Sequence, residues 1–298
     1  MERHRLLGLS PAGFHALSYT LWRPAAAGPG APDRAVICVH GLTRNGRDFD
    51  PLAGALAEAG FLVVCPDMVG RGKSDWLAAP DGYGLPQYCA DVTNLIARLR
   101  VDRVDWVGTS MGGLIGMMLA AQANTPLGRL VLNDVGPFIP QAALARIASY
   151  AGTDPRFADL AEAEAYLREI HAPFGLSDAH WRHLTEHSVR PADELADDGR
   201  GSSLRLHYDP AILTSLGAEP FEDIDLWAIW DRIERDVLVV RGAESDLLLA
   251  ETAAEMAARG PRAEVVEIPG CGHAPGLMDR QQIALVRDWL LAGGVTRW

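Results

Sequence analysis

Residues Gly108-Thr109-Ser110-Met111-Gly112 impose the tightest local demand in this chain. They stand between an apolar, strand-like run, Val104-Asp105-Trp106-Val107, and a helix-like run over 113–121. A strand that passes straight into a helix must turn sharply, and the residue at the apex takes strained backbone angles. Glycines on either side remove the side chains that would collide in such a turn. The hydroxyl of Ser110 is thereby expected to stand clear of the sheet edge. It sits at the N-terminus of the next helix, where the helix dipole favours negative charge. A serine hydroxyl is a weak nucleophile alone. It needs a base in hydrogen-bond reach, a group that orients the base, and donors for an oxyanion.

Other strand-like runs share one property. Val36 to Val39 is continuously apolar and is followed by His40-Gly41-Leu42. Residues 61–65 form a second such run and lead into Pro66-Asp67. Leu130-Val131-Leu132 leads to Asn133-Asp134, and Val237 to Val240 leads towards Asp246. Residues 263–268 alternate and lead to Gly270-Cys271-Gly272-His273. Continuous apolar runs suit strands buried on both faces. Helical periodicity fills the gaps at 48–59, 88–99, 113–121, 248–258 and 278–291, and residues 14–22 suit an early strand. Alternating strands and helices predict a mostly parallel sheet with helices on both faces. In such sheets, sites form beyond the carboxyl ends of the strands. His40, Asp67, Ser110, Asp134, Asp246 and His273 all fall there.

Composition excludes several classes. The 298 residues are 48% hydrophobic and 22% charged, an ordinary globular balance. A formal charge of -12 argues against a nucleic-acid surface or a polybasic membrane anchor. The four cysteines, Cys38, Cys65, Cys89 and Cys271, lie far apart without metal-binding spacing and read as reduced thiols. The N-terminus lacks a signal-peptide core and no apolar run reaches about 18 residues, so a soluble, cytoplasmic protein is expected. Residues 25–32 and 193–203 are rich in turn-forming or polar residues and read as loops.

The chain resembles the α/β-hydrolase superfamily, in its serine hydrolase, carboxylesterase-like branch. The resemblance rests on His40-Gly41-Leu42, on Asp67 to Ser74, on the Ser110 turn, on Arg241-Gly242 to Asp246, and on Gly272-His273, in that family's order. It implies the α/β-hydrolase fold: a mostly parallel central sheet flanked by helices, with an inserted helical lid. The core would comprise 1–136 and 231–298, and the lid 137–230. Short amphipathic helices are expected in the lid at 144–150, 160–170 and 178–189, before 226–230 returns to the core.

The resemblance also assigns roles. Ser110 would be the nucleophile, His273 the general base and acid, and Asp246 the acid that orients His273. Glu244 and Asp134 are competitors for that last role. Backbone N–H groups of Leu42 and Met111 would hold the oxyanion. The implied reaction is hydrolysis of a carboxylic ester, lactone or thioester of a small or medium apolar substrate through an acyl-enzyme. Neither a cofactor nor a metal is called for. The expected partner is a small-molecule ester-type substrate, and a homodimer is compatible with the chain. A serine nucleophile disfavours the dehalogenase and epoxide-hydrolase branches. A carbon–carbon bond hydrolase of aromatic degradation is the enzymatic alternative, weakened by Ala274 and Thr109 where those enzymes usually carry tryptophan and asparagine. A non-catalytic ligand receptor on the same fold is the alternative from another class.

Two further patterns are set aside. Gly70-Arg71-Gly72-Lys73-Ser74 resembles the end of a phosphate-binding loop, but Asp67 stands where that pattern requires glycine. His180, His183 and His187 share a helical face without a clear acidic ligand nearby, apart from Glu186.

Overall fold

Strand β3 (Ala35–Val39) shows why the central sheet takes helices on both sides. Its residues are all fully or nearly fully buried, and they alternate between two separate cores. Ala35, Ile37 and Val39 face one core, while Val36 and Cys38 face the other. Side chains on a strand alternate in direction, so a strand apolar at every position must be covered on both faces. The structure, a computed structural model, describes residues 1–24, 34–192, 203–217 and 220–292. The expected loop at 25–32 and most of that at 193–203 lie outside the described residues.

The remaining strands of the sheet are β1 (Glu2–Ser10), β2 (Gly13–Trp22), β4 (Leu62–Asp67), β5 (Val104–Thr109), β6 (Leu127–Asn133), β7 (Val237–Gly242) and β8 (Glu264–Ile268). They form one eight-stranded sheet in the order β1-β2-β4-β3-β5-β6-β7-β8. From β4 to β8 every pairing is parallel, while the β1–β2 hairpin joins β4 antiparallel. One face is covered by α2 (Leu85–Leu99), α3 (Met111–Ala120) and α7 (Ala250–Ala258). The other is covered by α1 (Asp50–Glu58) and α8 (Arg280–Ala292), which bury Leu52, Leu56, Val286 and Leu290. Full burial of a leucine side chain is worth about 2 kcal/mol. The site-forming edge is therefore held by a deep core on each side.

Strand β1 is the element that apolar periodicity misses. Glu2, Arg3, His4 and Arg5 open it, and its pairing to β2 runs from Glu2↔Leu21 to Ser10↔Gly13. It is an edge strand, and charged residues suit an edge that must not pair with another chain.

Between β6 and β7 the chain leaves the sheet. This insert carries α4 (Gln141–Ala151), α5 (Leu160–Ile170) and α6 (Asp178–Ser188). Asp159 caps α5 by accepting from the Glu162 N–H, and Ser177 caps α6 by accepting from the His180 N–H. A one-turn helix, Trp227–Trp230, leads back to β7 and places Trp230 in the core. None of the described helices is long and apolar enough to cross a membrane.

Candidate active site

Ser110 occupies the sharp turn that its flanking residues predict. Its φ is 51° and its ψ is -117°, between the end of β5 and the first residue of α3. The need for glycine there is steric. A Cβ on Gly112 would lie 2.0 Å from the carbonyl oxygen of Val39, and one on Gly108 would lie 2.3 Å from that of Gly112. The Ser110 N–H donates to the carbonyl of Asn133 at 3.0 Å, which ties the turn to the neighbouring strand β6.

His273 approaches from the loop after β8. Its Nε2 lies 3.0 Å from Ser110 Oγ and its Nδ1 lies 2.7 Å from Asp134 Oδ2. With Nδ1–H donating to the carboxylate, Nε2 is left as the acceptor for the serine hydroxyl. The His273 loop is fixed from two sides. Gly272 N–H donates to the carbonyl of Pro173 in the insert, and the carbonyl of Cys271 accepts from the Glu244 N–H after β7. A Cβ on Gly242 would lie 2.2 Å from the carbonyl oxygen of Gly272, so that approach too depends on glycine.

The acid beside His273 is Asp134, not the expected Asp246. Asp134 is fully buried at the end of β6. Its Oδ1 accepts from the Gly242 N–H at 2.7 Å, and its Oδ2 accepts from the Ser245 hydroxyl as well as from His273. A buried carboxylate with three donors has one orientation, which suits it to hold an imidazole. Asp246 follows Ser245 directly but points the other way. It is half exposed and pairs with Arg146 of α4. The loop after β7 thus does reach the acid's position, through the Ser245 hydroxyl. Glu244 is exposed, and its N–H holds the histidine loop.

The loop of Leu42 packs against the nucleophile. A Cβ on Gly41 would come within 3.6 Å of Ser110 Cβ. His40 anchors that loop: its Nδ1 donates to the carbonyl of Gly41 and its Nε2 accepts from the Met68 N–H. Burial pushes the His40 pKa down to about 3, so the ring is neutral at ordinary pH. Arg71 is the residue that sequence reading passed over. It is fully buried, donating from Nε to the carbonyl of Leu42 and from Nη1 to Val69 and the Tyr88 hydroxyl. Its Nη2 stands 3.4 Å from Met111 Sδ. One guanidinium therefore touches both residues expected to supply oxyanion donors. The signal was present in the Gly70-Arg71-Gly72 loop, where a lone arginine between glycines had no partner in sequence.

Asp67 is not at the reacting centre. It accepts from the N–H groups of Gly46 and Lys73 and shapes the loop that carries Arg71. The histidine face of α6 meets an acid after all: side-chain ligand atoms of Asp50, His183 and His187 lie within 4.8 Å of one another. Arg47 already grips that carboxylate through its Nε and Nη2. Trp181 stacks on Phe174, which stacks on His171, so these insert aromatics pack on one another. All four cysteines are free.

A cleft of about 780 Å³ opens beside His273. Its walls come from Gly272 and His273, from the loop after β7, and from α4 and α5 of the insert.

The fold, strand order and turn geometry define the class. The α/β-hydrolase fold family matches residues 34–278, and the chain belongs to it. It is 47% identical to the 3-hydroxybutyrate-oligomer hydrolase of Cupriavidus necator, over 93% of this chain and 93% of that protein. An α/β hydrolase from Novosphingobium aromaticivorans superposes with a TM-score of 0.81, at 34% identity, covering 97% of this chain and 98% of that one. A Rickettsia typhi hydrolase structure superposes with a TM-score of 0.87 at 31% identity, over 97% and 99% of the two chains. The protein is a hydrolase of this fold.

Proposed function

We propose that this hydrolase cleaves esters through a Ser110–His273–Asp134 triad, and that its substrates are short oligoesters of a small hydroxy acid such as 3-hydroxybutyrate. The observation that carries the chemistry is the continuous chain of hydrogen bonds from Ser110 Oγ to His273 to buried Asp134. The substrate class is supported by the 47% identity to a 3-hydroxybutyrate-oligomer hydrolase across nearly the full length of both chains.

In this reading His273 Nε2 removes the proton from Ser110 as Oγ attacks the ester carbonyl. The oxyanion develops towards the N–H groups of Leu42 and Met111, the second of which lies at the N-terminus of α3. His273 then gives its proton to the leaving alcohol oxygen as the ester C–O bond breaks. Water enters and its oxygen attacks the acyl carbonyl while His273 takes one of its protons. The tetrahedral adduct then breaks its bond to Ser110 Oγ, which takes that proton back from His273 as the free acid leaves. Asp134 stays ionised and steadies the imidazolium. The insert over 137–230 acts as a lid on the core of 1–136 and 231–298, and it limits water at the acyl-enzyme.

The test pairs a chemical and a substrate readout. A fluorophosphonate probe should add one mass equivalent to the protein and none to Ser110→Ala. The dimer and trimer of 3-hydroxybutyrate should be converted to monomer with multiple turnovers. Failure of the probe to label the folded protein would sink the nucleophile assignment. Labelling without oligomer cleavage would sink the substrate class alone.

A further inference from the structure

The cleft beside His273 holds a cation that ester chemistry does not require. Among the residues lining it, Arg146 is the one arginine or lysine. Its guanidinium grips Asp246 in a two-pronged contact through Nε and Nη2. Tyr150, one turn further along α4, lines the same cleft. The Arg146 and Asp246 side chains are 37% and 50% exposed, so water reaches the pair. An ion pair this open contributes little net stability, and exchanging one carboxylate for another across it costs little. The planar fork of a guanidinium matches any carboxylate.

The proposed substrate carries such a group. An oligoester of a hydroxy acid ends in one free carboxylate, and each cleavage makes a new one. A neutral ester has no use for a guanidinium in the same cavity as His273. We propose that Arg146 is the seat for the free carboxylate of the substrate, with Asp246 as the resident occupant that the substrate displaces. This rests on the oligoester reading above. Glu169 and Glu244, the other acidic residues on this wall besides Asp246 and the Arg205-paired Asp154, leave no second cationic seat. The site thus takes monoanions and turns away dianions. It also favours short chains, in which every ester lies close to a carboxylate end, over long polymer.

The experiment measures KM for the free-acid dimer of 3-hydroxybutyrate and for its methyl ester, in wild type, Arg146→Gln and Asp246→Asn. The readout is the ratio of the two KM values. Arg146→Gln should raise the acid-to-methyl-ester ratio about 10- to 100-fold, the size of one charge-assisted contact. Asp246→Asn should lower it, because the resident competitor is weakened. Equal changes for both substrates in Arg146→Gln, as from a packing defect, would overturn the proposal, as would a ratio raised by Asp246→Asn. A second pair, 4-nitrophenyl hemisuccinate against 4-nitrophenyl butyrate, repeats the comparison without hydroxybutyrate. If the dimers are not cleaved but the aryl pair responds to Arg146→Gln as described, the carboxylate seat stands and the hydroxybutyrate reading falls. An unchanged ratio in both pairs ends the proposal.

Discussion

Two neighbouring loops at the carboxyl edge of the sheet each carry an aspartate, and the two are held in opposite ways. After β6, Asp134 is fully buried and receives donors from Gly242, Ser245 and His273. After β7, Asp246 is half exposed and its partner is an arginine on the insert. The first carboxylate has no freedom left and can orient another side chain. The second sits in water, where its ion pair is worth less than about 1 kcal/mol, and can exchange partners. The contrast extends to the surroundings. The floor of the site is built from close backbone contacts and buried donors such as His40 and Arg71. The facing wall of the insert is backed by buried residues such as Leu144 and Ile147, but towards the cleft it presents partly exposed ion pairs, such as Arg146–Asp246 and Arg205–Asp154. A rigid floor suits chemistry, and an exchangeable wall suits recognition.

The sharpest way to break this contrast is to neutralise both acids. Asp134→Asn should lower kcat on a 4-nitrophenyl ester about 10⁴-fold, as expected for loss of the group that orients the base. Asp246→Asn should cost less than about tenfold. If the two effects were reversed, the floor and wall would have to exchange roles.

Gly112→Ala probes the floor's packing. With a Cβ 2.0 Å from the Val39 carbonyl, the strand and helix must separate. A destabilisation of about 3–5 kcal/mol is expected in urea unfolding. A change below about 1 kcal/mol would show that the floor yields as readily as the wall.

Arg71→Met removes the guanidinium that touches Leu42 and Met111 while keeping apolar volume. We expect about a hundredfold loss in kcat, the cost of a misplaced oxyanion donor, with KM changed far less. A loss confined to KM would assign Arg71 to binding instead.

Acid should loosen both regions, the floor through buried His40 and the insert through His171 and His207, whose pKa values burial also lowers. His40 keeps a folded-state pKa of about 3, against 6.5 for a free histidine. As pH falls below 6.5 the unfolded chain gains a proton that the folded one refuses. The stability from neutral His40 is therefore present above pH 6.5 and shrinks on the way down to about pH 3. At pH 5 the loss is about 2 kcal/mol. His207, lowered to about 4 by burial, acts in the same direction. Asp67, whose pKa burial raises, acts in the opposite direction as pH falls through its folded value towards 3.8. Urea midpoints at pH 7 and pH 5 measure the sum. His40→Gln should lose about 2 kcal/mol of that pH dependence, and a variant that kept the wild-type dependence would refute the assignment for His40. The smallest effect belongs to the wall: Arg205→Ala, which breaks a partly exposed pair, should cost no more than about 1 kcal/mol.

Much of this was legible in the chain. The turn at Ser110, the buried strands and the histidine loop announce themselves through glycine placement and continuous apolar runs, which are local signals. Helix α5 was bounded correctly because its period is regular and Asp159 caps it. Strand β1 escaped because its opening charges look like a solvated terminus, and only pairing with β2 makes it a strand. The choice between Asp134 and Asp246 was beyond reach for a related reason. Both follow apolar strands, and both lie ahead of His273.

What the sequence determined by itself was the set of residues at the carboxyl edge, because strand ends, glycines and helix starts are written in local pattern. It also determined that Ser110 sits at a strained turn, since no other residues at 108 and 112 would fit there. The tertiary structure decided which acid faces the histidine, through the direction in which each loop leaves its strand. Asp134 turns under β7 and into the protein, where Gly242 and Ser245 complete its donors. Asp246, one residue beyond Ser245, turns outwards to Arg146, a hundred positions away in the chain. Burial and long-range partners separate two aspartates that sequence pattern alone treats as equals.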